Sequence, residues 1–456
     1  MSDPKVLILG SSAREEALKQ ALERDQDVKS VYVAPGNGAT KKDGKNLFLE
    51  SYDPLYIAQY VSQYNSITPD LNLIIVGSEN DLKKGITNEF QADEKLPPVF
   101  GPTKEAAIIE TDKGFSSELM FYNMIPTPIP ETFHTAEGAR SHIKMEYPDG
   151  RVVIKAVGPA SGKGVRVCDN WEDVNKALDD ILIKKMYGSA GDRVVVQERL
   201  DGLEASVVAV TNGRDFVTFP VTQDHKNLLP GDKGEMTGGM GAYGPAPIAK
   251  GQEEIFEEQF IRPTITTLKK EGIEYRGTLY FALMNTTAGW KCLEINARFP
   301  NPETIPIVML LDEGSKLYDL FYKAAKGEQI SQNMLKFKEG AVCDIVIATD
   351  GYSQPERKAE YRANLNSKIL GLKEASEVPE VQIFHAGTSY THPNFYNSGG
   401  RVLNVAAWAP NLDEAMQHAN EAASKIRFEN GKQIYRPDIG WKANLTLDAY
   451  LKDIGK

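Results

Sequence analysis

The first hundred residues alternate short apolar runs with segments of helical periodicity. The runs read KVLILG, SVYVAPGNG, LNLIIVGSEND and PPVFGPT, and each leads into a glycine or proline turn. Strands that are buried in a parallel sheet are continuous runs of valine, isoleucine and leucine of this kind. The pattern therefore predicts an open parallel α/β domain over residues 1–103.

The pattern changes after this first domain. Residues 104–124 have helical periodicity, and the segment IPTPIPETF that follows cannot continue a helix because of its prolines, which predicts a helical connector over 104–126. From Val152 the chain becomes rich in strand-like runs, with helical stretches at 171–186 and 251–272. This part is expected to be an α+β region.

The chain is long enough for several cores. At 456 residues it is about three times as long as a typical domain of roughly 150 residues. We divide the strand-rich region into residues 127–193 and 194–330, and expect a smaller α/β domain over 331–456. The predicted fold class is a multidomain combination of α/β and α+β units.

Composition and charge exclude several classes of function. Hydrophobic residues make up 41% of the chain, but no apolar run approaches the roughly 20 residues that span a bilayer. A net charge of −11 argues against a general affinity for nucleic acid or anionic lipid. Three cysteines without CxxC spacing support neither a disulfide framework nor a zinc site. We expect a cytoplasmic monomer or weak homo-oligomer with small-molecule partners and no contact with nucleic acid or membranes.

The turn after the first apolar run, GSSARE, is a weak ligand-binding signal. Ser11 or Ser12 could cap the next helix, whose free N–H groups would then face the carboxyl edge of the sheet. A dinucleotide fingerprint needs three glycines, and this turn has one. An anion site and a purely structural turn are equally good interpretations.

A glycine-rich loop lies between two strand-like segments in IKAVGPASGKGVRV, residues 154–167. Gly164 follows Lys163, whereas a Walker loop needs serine or threonine at that position to hold magnesium. The loop instead joins two antiparallel strands, so its backbone amides could cover phosphates while Lys155 supplies a charge from below. The alternative interpretation is an ordinary hairpin turn.

The segment KCLEINARF carries polar side chains at alternate positions. Because side chains alternate along a strand, Glu294, Asn296 and Arg298 should share one face, and the apolar residues among 293–297 should share the other. A carboxylate and an amide oxygen suit a hard cation such as Mg²⁺, and an arginine suits a transferring phosphoryl group. A solvated strand face is the alternative.

Two further segments are candidates for ligand contacts. In VVVQERLDGLEAS, residues 194–206, a strand ends in a turn that could offer backbone groups to an adenine edge, with a carboxylate farther along for ribose hydroxyls. Residues 223–247 form a long, glycine-rich polar run with the charged cluster Asp224, His225 and Lys226. Long loops inside compact domains are usually functional or disordered, and the charged cluster favours function.

Taken together and in this order, the motifs resemble one family. They run from VLILG and VYVAPGNG through FGPTKEAA, SGKGV, QDHK, TGGMGAY, YRGTLY, NARF and PET to FHAGT, GGRVLNV and YRPDIGW. The chain is similar to the glycinamide ribonucleotide synthetases of the ATP-grasp superfamily, and TGGMGAYGPAP is the most specific segment. The resemblance implies ATP-grasp domains in the centre of the chain.

This resemblance also implies a nucleotide site between two sheets. Lys113 and Lys155 would contact the phosphates of ATP, and Glu294 and Asn296 would bind Mg²⁺, for which Mn²⁺ could substitute. A loop from 158 to 164 would act as a flexible lid, a hinge would meet adenine, and a glutamate would take the ribose. These remaining candidates are Gly158, Gly162, Lys163 and Gly164 in the lid, Gln197, Glu198 and Leu200 in the hinge, and Glu204 for the ribose.

The implied reaction is a ligation. ATP would activate glycine as glycyl phosphate, and the amine of 5-phosphoribosylamine would attack it to give glycinamide ribonucleotide, ADP and phosphate in purine synthesis. The catalytic candidates are Arg298, Asp224 and Lys226. Such a protein mainly positions reactants and neutralises charge.

The chain departs from the family pattern at several positions. Glu16 stands where the family usually has histidine, Gln197 replaces the first hinge glutamate, and RFPNPETI stands in place of RFGDPETQ, with Pro300, Asn301 and Ile305 as the changed residues. These departures leave open an ATP-grasp carbon–nitrogen ligase for a different amino acid or amine. Alternatives from other classes are a non-catalytic nucleotide-binding protein and a Rossmann-type oxidoreductase.

Overall fold

The N-terminal part of the protein is a parallel sheet with helices around it. The computed structural model describes residues 4–67, 71–159 and 164–455. The elements of the first part are β1 (Lys5–Gly10), α1 (Ala13–Glu23), β2 (Ser30–Pro35), α2 (Gly38–Lys42), α3 (Pro54–Ile67), β3 (Leu71–Val76), α4 (Glu79–Lys84), α5 (Ile86–Gln91) and β4 (Val99–Phe100). The strand order is β2-β1-β3-β4, and all pairs are parallel. Because β1 is buried on both faces, its apolar run is continuous, and the predicted open α/β architecture is confirmed.

The connector consists of two helices rather than the single helix predicted over 104–124. These are α6 (Ile108–Thr111) and α7 (Lys113–Tyr122). Between them Asp112 has extended backbone angles, and its carboxylate accepts a hydrogen bond of 2.9 Å from the N–H of Phe115. An aspartate at this position caps a new helix, which explains the break. The cap places Lys113 at the first turn of α7.

The next unit contains a four-stranded antiparallel sheet, here called the lid sheet. Its elements are β5 (Pro130–Phe133), α8 (Ala136–Glu146), β6 (Val152–Ala156), β7 (Val165–Cys168), α9 (Trp171–Leu178) and β8 (Val194–Glu198). The strand order is β5-β8-β6-β7, so β7 is an edge strand. The predicted helix at 171–186 consists of α9 and a π-helical turn that ends at Ile183. Both helices pack on one face of the sheet around a small apolar core of their own.

A second antiparallel sheet, here called the base sheet, follows. The elements of this region are β9 (Leu203–Thr211), β10 (Phe216–Thr218), β11 (Gln223–Asp224), β12 (Asn227–Leu229), β13 (Lys233–Met236), β14 (Gly241–Gly244), α10 (Glu253–Phe256), α11 (Arg262–Lys270), β15 (Gly277–Thr286), β16 (Gly289–Asn296), α12 (Thr304–Met309) and α13 (Leu317–Lys326). The base sheet has the order β10-β9-β15-β16. Strands β12 and β13 form a separate hairpin.

The C-terminal sheet includes strands from the central region. The last elements are β17 (Ala341–Thr349), α14 (Lys358–Ala363), β18 (Ile369–Leu370), α15 (Leu372–Ser376), β19 (Val381–His385), β20 (Thr388–Thr391), β21 (Asn394–Asn397), β22 (Arg401–Ala409), α16 (Leu412–Lys425), β23 (Arg427–Phe428), β24 (Gln433–Ile434) and α17 (Leu447–Asp453). The sheet order is β11-β14-β17-β22-β19, with β24 also paired to β17. The edge strand β11 and its neighbour β14 thus lie on the other side of the predicted division at residue 330. In the described part of the chain, no helix has the length and apolar character to span a membrane.

Candidate active site

A cleft between the lid sheet and the base sheet brings most of the predicted site residues together. The predicted residues that line it are Lys113, Lys155, Gly164, Gln197, Glu198, Leu200, Glu204, Asp224, Lys226, Glu294, Asn296 and Arg298. They come from both sheets, from α7 and from the segment around β11. Positions far apart in the chain therefore form one charged cavity.

The described glycines of the glycine-rich loop, residues 158–164, have different surroundings. Gly164 is part of the lining, whereas Gly162 and Lys163 lie outside the described residues. The N–H of Gly158 donates to the carbonyl of Ala190 at 3.0 Å, and a Cβ on Gly158 would lie 2.7 Å from the Cα of Ala190. Close packing against this neighbouring turn is sufficient reason for glycine at position 158.

Lys155 lies at the floor of the cleft and is almost fully buried. Its ammonium donates a hydrogen bond of 2.8 Å to the carbonyl oxygen of Leu293 in the base sheet. Burial lowers the pKa of Lys155 to about 8, although the nearby Glu294 carboxylate opposes this shift. Lys113 also lines the cleft, and its backbone N–H donates to the carbonyl of Val157, just after the strand of Lys155, at 2.9 Å.

Strand β16 contains a bulge that changes the predicted alternation of its side chains. Ala282 pairs with Glu294, but the next residue of β15 pairs with Cys292, so Leu293 has no direct partner. Leu293 therefore lines the cleft, whereas Ile295 is in the core. The prediction that all the apolar residues of this strand share one face is wrong at Leu293, because a bulge inserts one residue into the alternation.

Two oxygen-bearing side chains project from this strand beside the lysines. The amide nitrogen of Asn296 donates to Glu294 Oε1 at 3.2 Å. Burial alone would raise the pKa of Glu294, but three surrounding ammonium groups lower it to about 2, and these belong to Lys113, Lys155 and Lys226. An ionised carboxylate beside an amide oxygen is a suitable pair of ligands for a hard divalent cation.

Arg298 is held by two carboxylates that the sequence did not reveal. Its Nη2 lies 3.1 Å from Glu110 Oε1, and its Nε lies 3.3 Å from Glu79 Oε2. Glu110 belongs to α6, and Glu79 begins α4 at the edge of the N-terminal sheet. A sequence signal for Glu79 is its position at the end of the turn that follows the buried parallel strand β3, where such sheets bind ligands.

Lys226 lies between two acids in the same cavity. Its ammonium contacts the Glu204 carboxylate and lies 3.5 Å from Asp224 Oδ1. Burial raises the pKa of Asp224, and the Lys226 charge opposes that shift. Burial would lower the pKa of Lys226, but Asp224 and Glu204 raise it well above the usual value. Lys226 therefore keeps its charge inside the cavity.

The hinge residues have different environments. The buried Gln197 amide donates to Ser117 Oγ at 3.4 Å and to the carbonyl of Pro128 at 3.3 Å, while its own oxygen has no hydrogen-bond partner among the residues that the structure describes. The Glu198 carboxylate accepts a hydrogen bond of 2.5 Å from Lys291, a partner that no local sequence pattern predicts. Leu200 presents an apolar surface to the cleft.

The departures from the family pattern are distributed between site and core. Pro300 and Asn301 line the cleft, whereas Ile305 is fully buried in α12 and lies within the apolar core. Glu16 is buried, and its Oε2 accepts hydrogen bonds from the backbone N–H of His385 at 2.7 Å and from the Asn37 amide at 3.0 Å. Glu16 thus joins the N-terminal domain to the C-terminal domain.

Two antiparallel sheets that enclose a charged cleft, with lysines beside a strand that carries a carboxylate and an amide, define an ATP-grasp enzyme. Sequence models of the phosphoribosylglycinamide synthetase N domain, ATP-grasp (A) domain and C domain match residues 4–110, 111–304 and 342–442. The chain belongs to the phosphoribosylglycinamide synthetase family.

Individual relatives agree with this assignment. The chain is 36% identical to the phosphoribosylamine–glycine ligase of Rhodopirellula baltica, over 98% of this chain and 100% of that protein. It is 38% identical to the trifunctional purine biosynthetic protein adenosine-3 of Gallus gallus, over 96% of this chain and 42% of that larger protein. Among solved structures, the phosphoribosylamine–glycine ligase of Thermotoga maritima matches with a TM-score of 0.74 and 32% identity, over 95% of this chain and 100% of that one.

A more distant match shows how widely the fold occurs. The biotin carboxylase domain of the Hydrogenobacter thermophilus 2-oxoglutarate carboxylase has a TM-score of 0.67 at 16% identity, over 98% of this chain and 97% of that one. It was crystallised with MgADP and bicarbonate. At this identity the match concerns the fold alone.

Proposed function

We propose that the chain joins glycine to 5-phosphoribosylamine in an ATP-dependent reaction of purine biosynthesis, with glycinamide ribonucleotide, ADP and phosphate as products. The observation that supports it most strongly is the match to phosphoribosylamine–glycine ligases over nearly the whole of both chains. The charged cleft between the two sheets is the expected site of this chemistry.

The nucleotide would bind between the lid and base sheets. Lys113 and Lys155 would contact its phosphates, the hinge from 197 to 200 its adenine, and Glu204 its ribose. Because the Glu204 carboxylate contacts Lys226 in the structure, a ribose at Glu204 would free the Lys226 ammonium for another anionic partner. Closure of the lid, residues 127–193, would exclude water.

Glu294 and Asn296 are the proposed ligands of Mg²⁺, and Mn²⁺ is a proposed substitute. Among the described residues, no three His, Cys, Asp or Glu side chains are grouped to hold a metal ion on their own. Mg²⁺ commonly takes one or two protein carboxylates and completes its shell with phosphate oxygens and water, so the pair fits. When bound, the cation would neutralise charge on the phosphates.

The proposed reaction has two steps. A carboxylate oxygen of glycine attacks the γ-phosphorus of ATP, the bond to ADP breaks, and glycyl phosphate forms. The amine nitrogen of 5-phosphoribosylamine then attacks the carbonyl carbon, phosphate leaves, and the nitrogen loses a proton. Arg298 and Lys226 would offset the charge on the transferring phosphoryl group, and the buried Asp224 is the candidate acceptor for the proton.

The partners of this reaction are the small molecules glycine, 5-phosphoribosylamine and ATP. We propose a cytoplasmic protein that acts as a monomer or weak homo-oligomer. We propose a division of its units at residues 103, 126, 193 and 330, with β8, β11 and β14 as strands that cross a division to join the sheet of a neighbouring unit.

A ligase for another amino acid is the second candidate. It is favoured by the position of Asn301 in the cleft lining, where a neutral amide cannot pair ionically with a substrate ammonium group. A panel of amino acids with ATP, Mg²⁺ and freshly generated 5-phosphoribosylamine distinguishes the two. We expect glycine to give the fastest ADP release and a product with the mass of glycinamide ribonucleotide. Faster turnover with another amino acid, or no such product, would overturn the proposed substrates.

A further inference from the structure

The backbone around Lys226 is held by a segment close to the C-terminus. On one side, the carbonyl oxygen of Asn227 accepts a hydrogen bond of 3.1 Å from Arg436 Nη1. On the other side, Nε2 of the buried His225 accepts one of 3.0 Å from the N–H of Gly440. Both neighbours of Lys226 are thus attached to the stretch from 436 to 440.

The carbonyl of Lys226 itself is also fixed. It accepts hydrogen bonds of 2.8 Å from both the N–H and the hydroxyl of Thr237. Its ammonium remains in the cleft between Asp224 and Glu204. The peptide that carries this side chain is therefore restrained from three sides.

Arg436 is the centre of this support. It is fully buried, and its Nε and Nη2 donate to the two oxygens of Asp438 at 2.9 and 2.7 Å. Its Nη1 also donates to Asp232 Oδ1 at 2.8 Å, and Asp232 lies at the tip of the β12–β13 hairpin. Lys442 contacts the other oxygen of Asp232.

A buried ion network of this kind adds little net stability, because desolvation offsets much of the attraction. Its geometry has another consequence. The planar guanidinium fixes the hairpin tip, the Asn227 carbonyl and Asp438 in one arrangement, and the Asn227 carbonyl is adjacent to the Lys226 peptide.

We propose that Arg436 is a positioning residue that keeps the Lys226 ammonium in the place where it contacts the transferring phosphoryl group. This inference rests on the role given to Lys226 in the proposed function. Arg436 does not line the cleft itself. It acts through the Asn227 carbonyl and the hairpin, and a displacement of about 1 Å at a catalytic group reduces turnover by up to about 100-fold.

The test compares Arg436→Lys, which keeps the charge but loses the planar fork, with Lys226→Gln and the double variant. The matched control is Arg262→Lys, which alters an exposed ion pair with Glu258 on a distant helix. We expect Arg436→Lys to lower kcat about 10- to 100-fold. Affinity for MgADP, measured by calorimetry, should change less than about twofold, since Lys155 and Glu294 are untouched.

A second measurement requires no turnover. MgADP with aluminium fluoride and glycine imitates the transferring phosphoryl group, and Arg436→Lys should weaken binding of this mixture while leaving MgADP binding unchanged. The double variant should bind it no more weakly than Lys226→Gln alone, because both changes act through one side chain. If the affinity loss of the double variant equals the product of the losses of the two single variants, Arg436 has only a structural role and the inference is overturned. The inference is also overturned if Arg436→Lys weakens MgADP binding as much as it weakens binding of the aluminium fluoride mixture.

Two further outcomes are separated by the same experiment. If Arg436→Lys does not fold, Asp438→Asn removes the carboxylate that fixes the guanidinium and is subject to the same expectations. If the parent protein shows no glycine-dependent turnover, the proposed substrates are wrong, and the aluminium fluoride measurement without glycine still decides the role of Arg436.

Discussion

The ammonium of Lys155 donates a hydrogen bond of 2.8 Å to the carbonyl oxygen of Leu293. This bond crosses from the lid sheet to the base sheet at the bulge that precedes Glu294. The bond places a buried cation between the two sheets that form the cleft.

We expect Lys155→Met to weaken ATP binding roughly 10- to 100-fold, because charge-assisted contacts in a desolvated site contribute about 1.5–3 kcal/mol. Calorimetry with a non-hydrolysable ATP analogue measures the change. The control is Lys176→Met, at an exposed position of α9 in the same unit. An unchanged affinity in a folded Lys155→Met variant would exclude Lys155 from the phosphate site.

Glu294→Gln should raise the Mg²⁺ concentration needed for half-maximal turnover by at least about 10-fold. The amide keeps the shape and one oxygen but loses the negative charge that a hard cation prefers. The measurement is a magnesium titration of ADP release, with the exposed Glu146→Gln as control. Identical magnesium dependence in Glu294→Gln and the parent would mean that the cation binds elsewhere.

Nucleotide binding should slow hydrogen exchange in strand β7, Val165–Cys168. This strand is at the edge of the lid sheet, and Val165 lines the cleft, so closure over a nucleotide would protect its amides. Helix α16, on the C-terminal sheet, serves as the internal reference. Equal exchange of β7 with and without a saturating ATP analogue would contradict lid closure.

The buried Glu16 predicts a pH-dependent contribution to stability. Burial raises its pKa from 4.5 to about 7, and the hydrogen bonds from His385 and Asn37 only partly oppose this. Between these two pH values the folded state binds more protons than the unfolded state, so the contribution of Glu16 to the free energy of unfolding falls as the pH rises.

Glu16→Gln removes this titration while keeping an oxygen for the two donors. The variant should therefore gain stability relative to the parent between pH 5 and pH 8, by at most roughly 3 kcal/mol. Urea unfolding at both pH values measures the difference, with the exposed Glu137→Gln as control. A difference between variant and parent that does not depend on pH would show that Glu16 is already ionised when buried.

Local sequence signals were sufficient to predict the architecture of the first domain and the polar positions of strand β16 that line the cleft. The apolar run of β1 specifies a strand that is buried on both faces, and the alternation near Glu294 and Asn296 specifies which side chains leave the core. Both signals arise from neighbouring residues. The confirmed family resemblance supplied Lys113, which has no distinguishing local pattern.

Features that depend on tertiary contacts were not predictable in this way. The break between α6 and α7 arises because the Asp112 side chain caps a new helix instead of continuing the first one. The bulge at Leu293 shifts the alternation by one residue without changing the composition of the strand. Glu79 and Glu110 meet Arg298 only because three units of the chain converge on the cleft. Ile305 departs from the family pattern in the same segment as Pro300 and Asn301, but the burial of α12 directs its side chain into the core.

The insertion of β11 and β14 into the C-terminal sheet has a consequence for how the protein is made. Residues 223–244 leave the ribosome well before their partner strand β17, at residues 341–349, has been synthesised. Strand β11, with Asp224, can pair with β14 at once, but β14 lacks its partner on the other side while the N-terminal domain is already able to fold. The sheet that supports Asp224 is therefore completed only late in translation, and a nascent chain that stops before β17 contains Lys113 and Lys155 without this finished sheet.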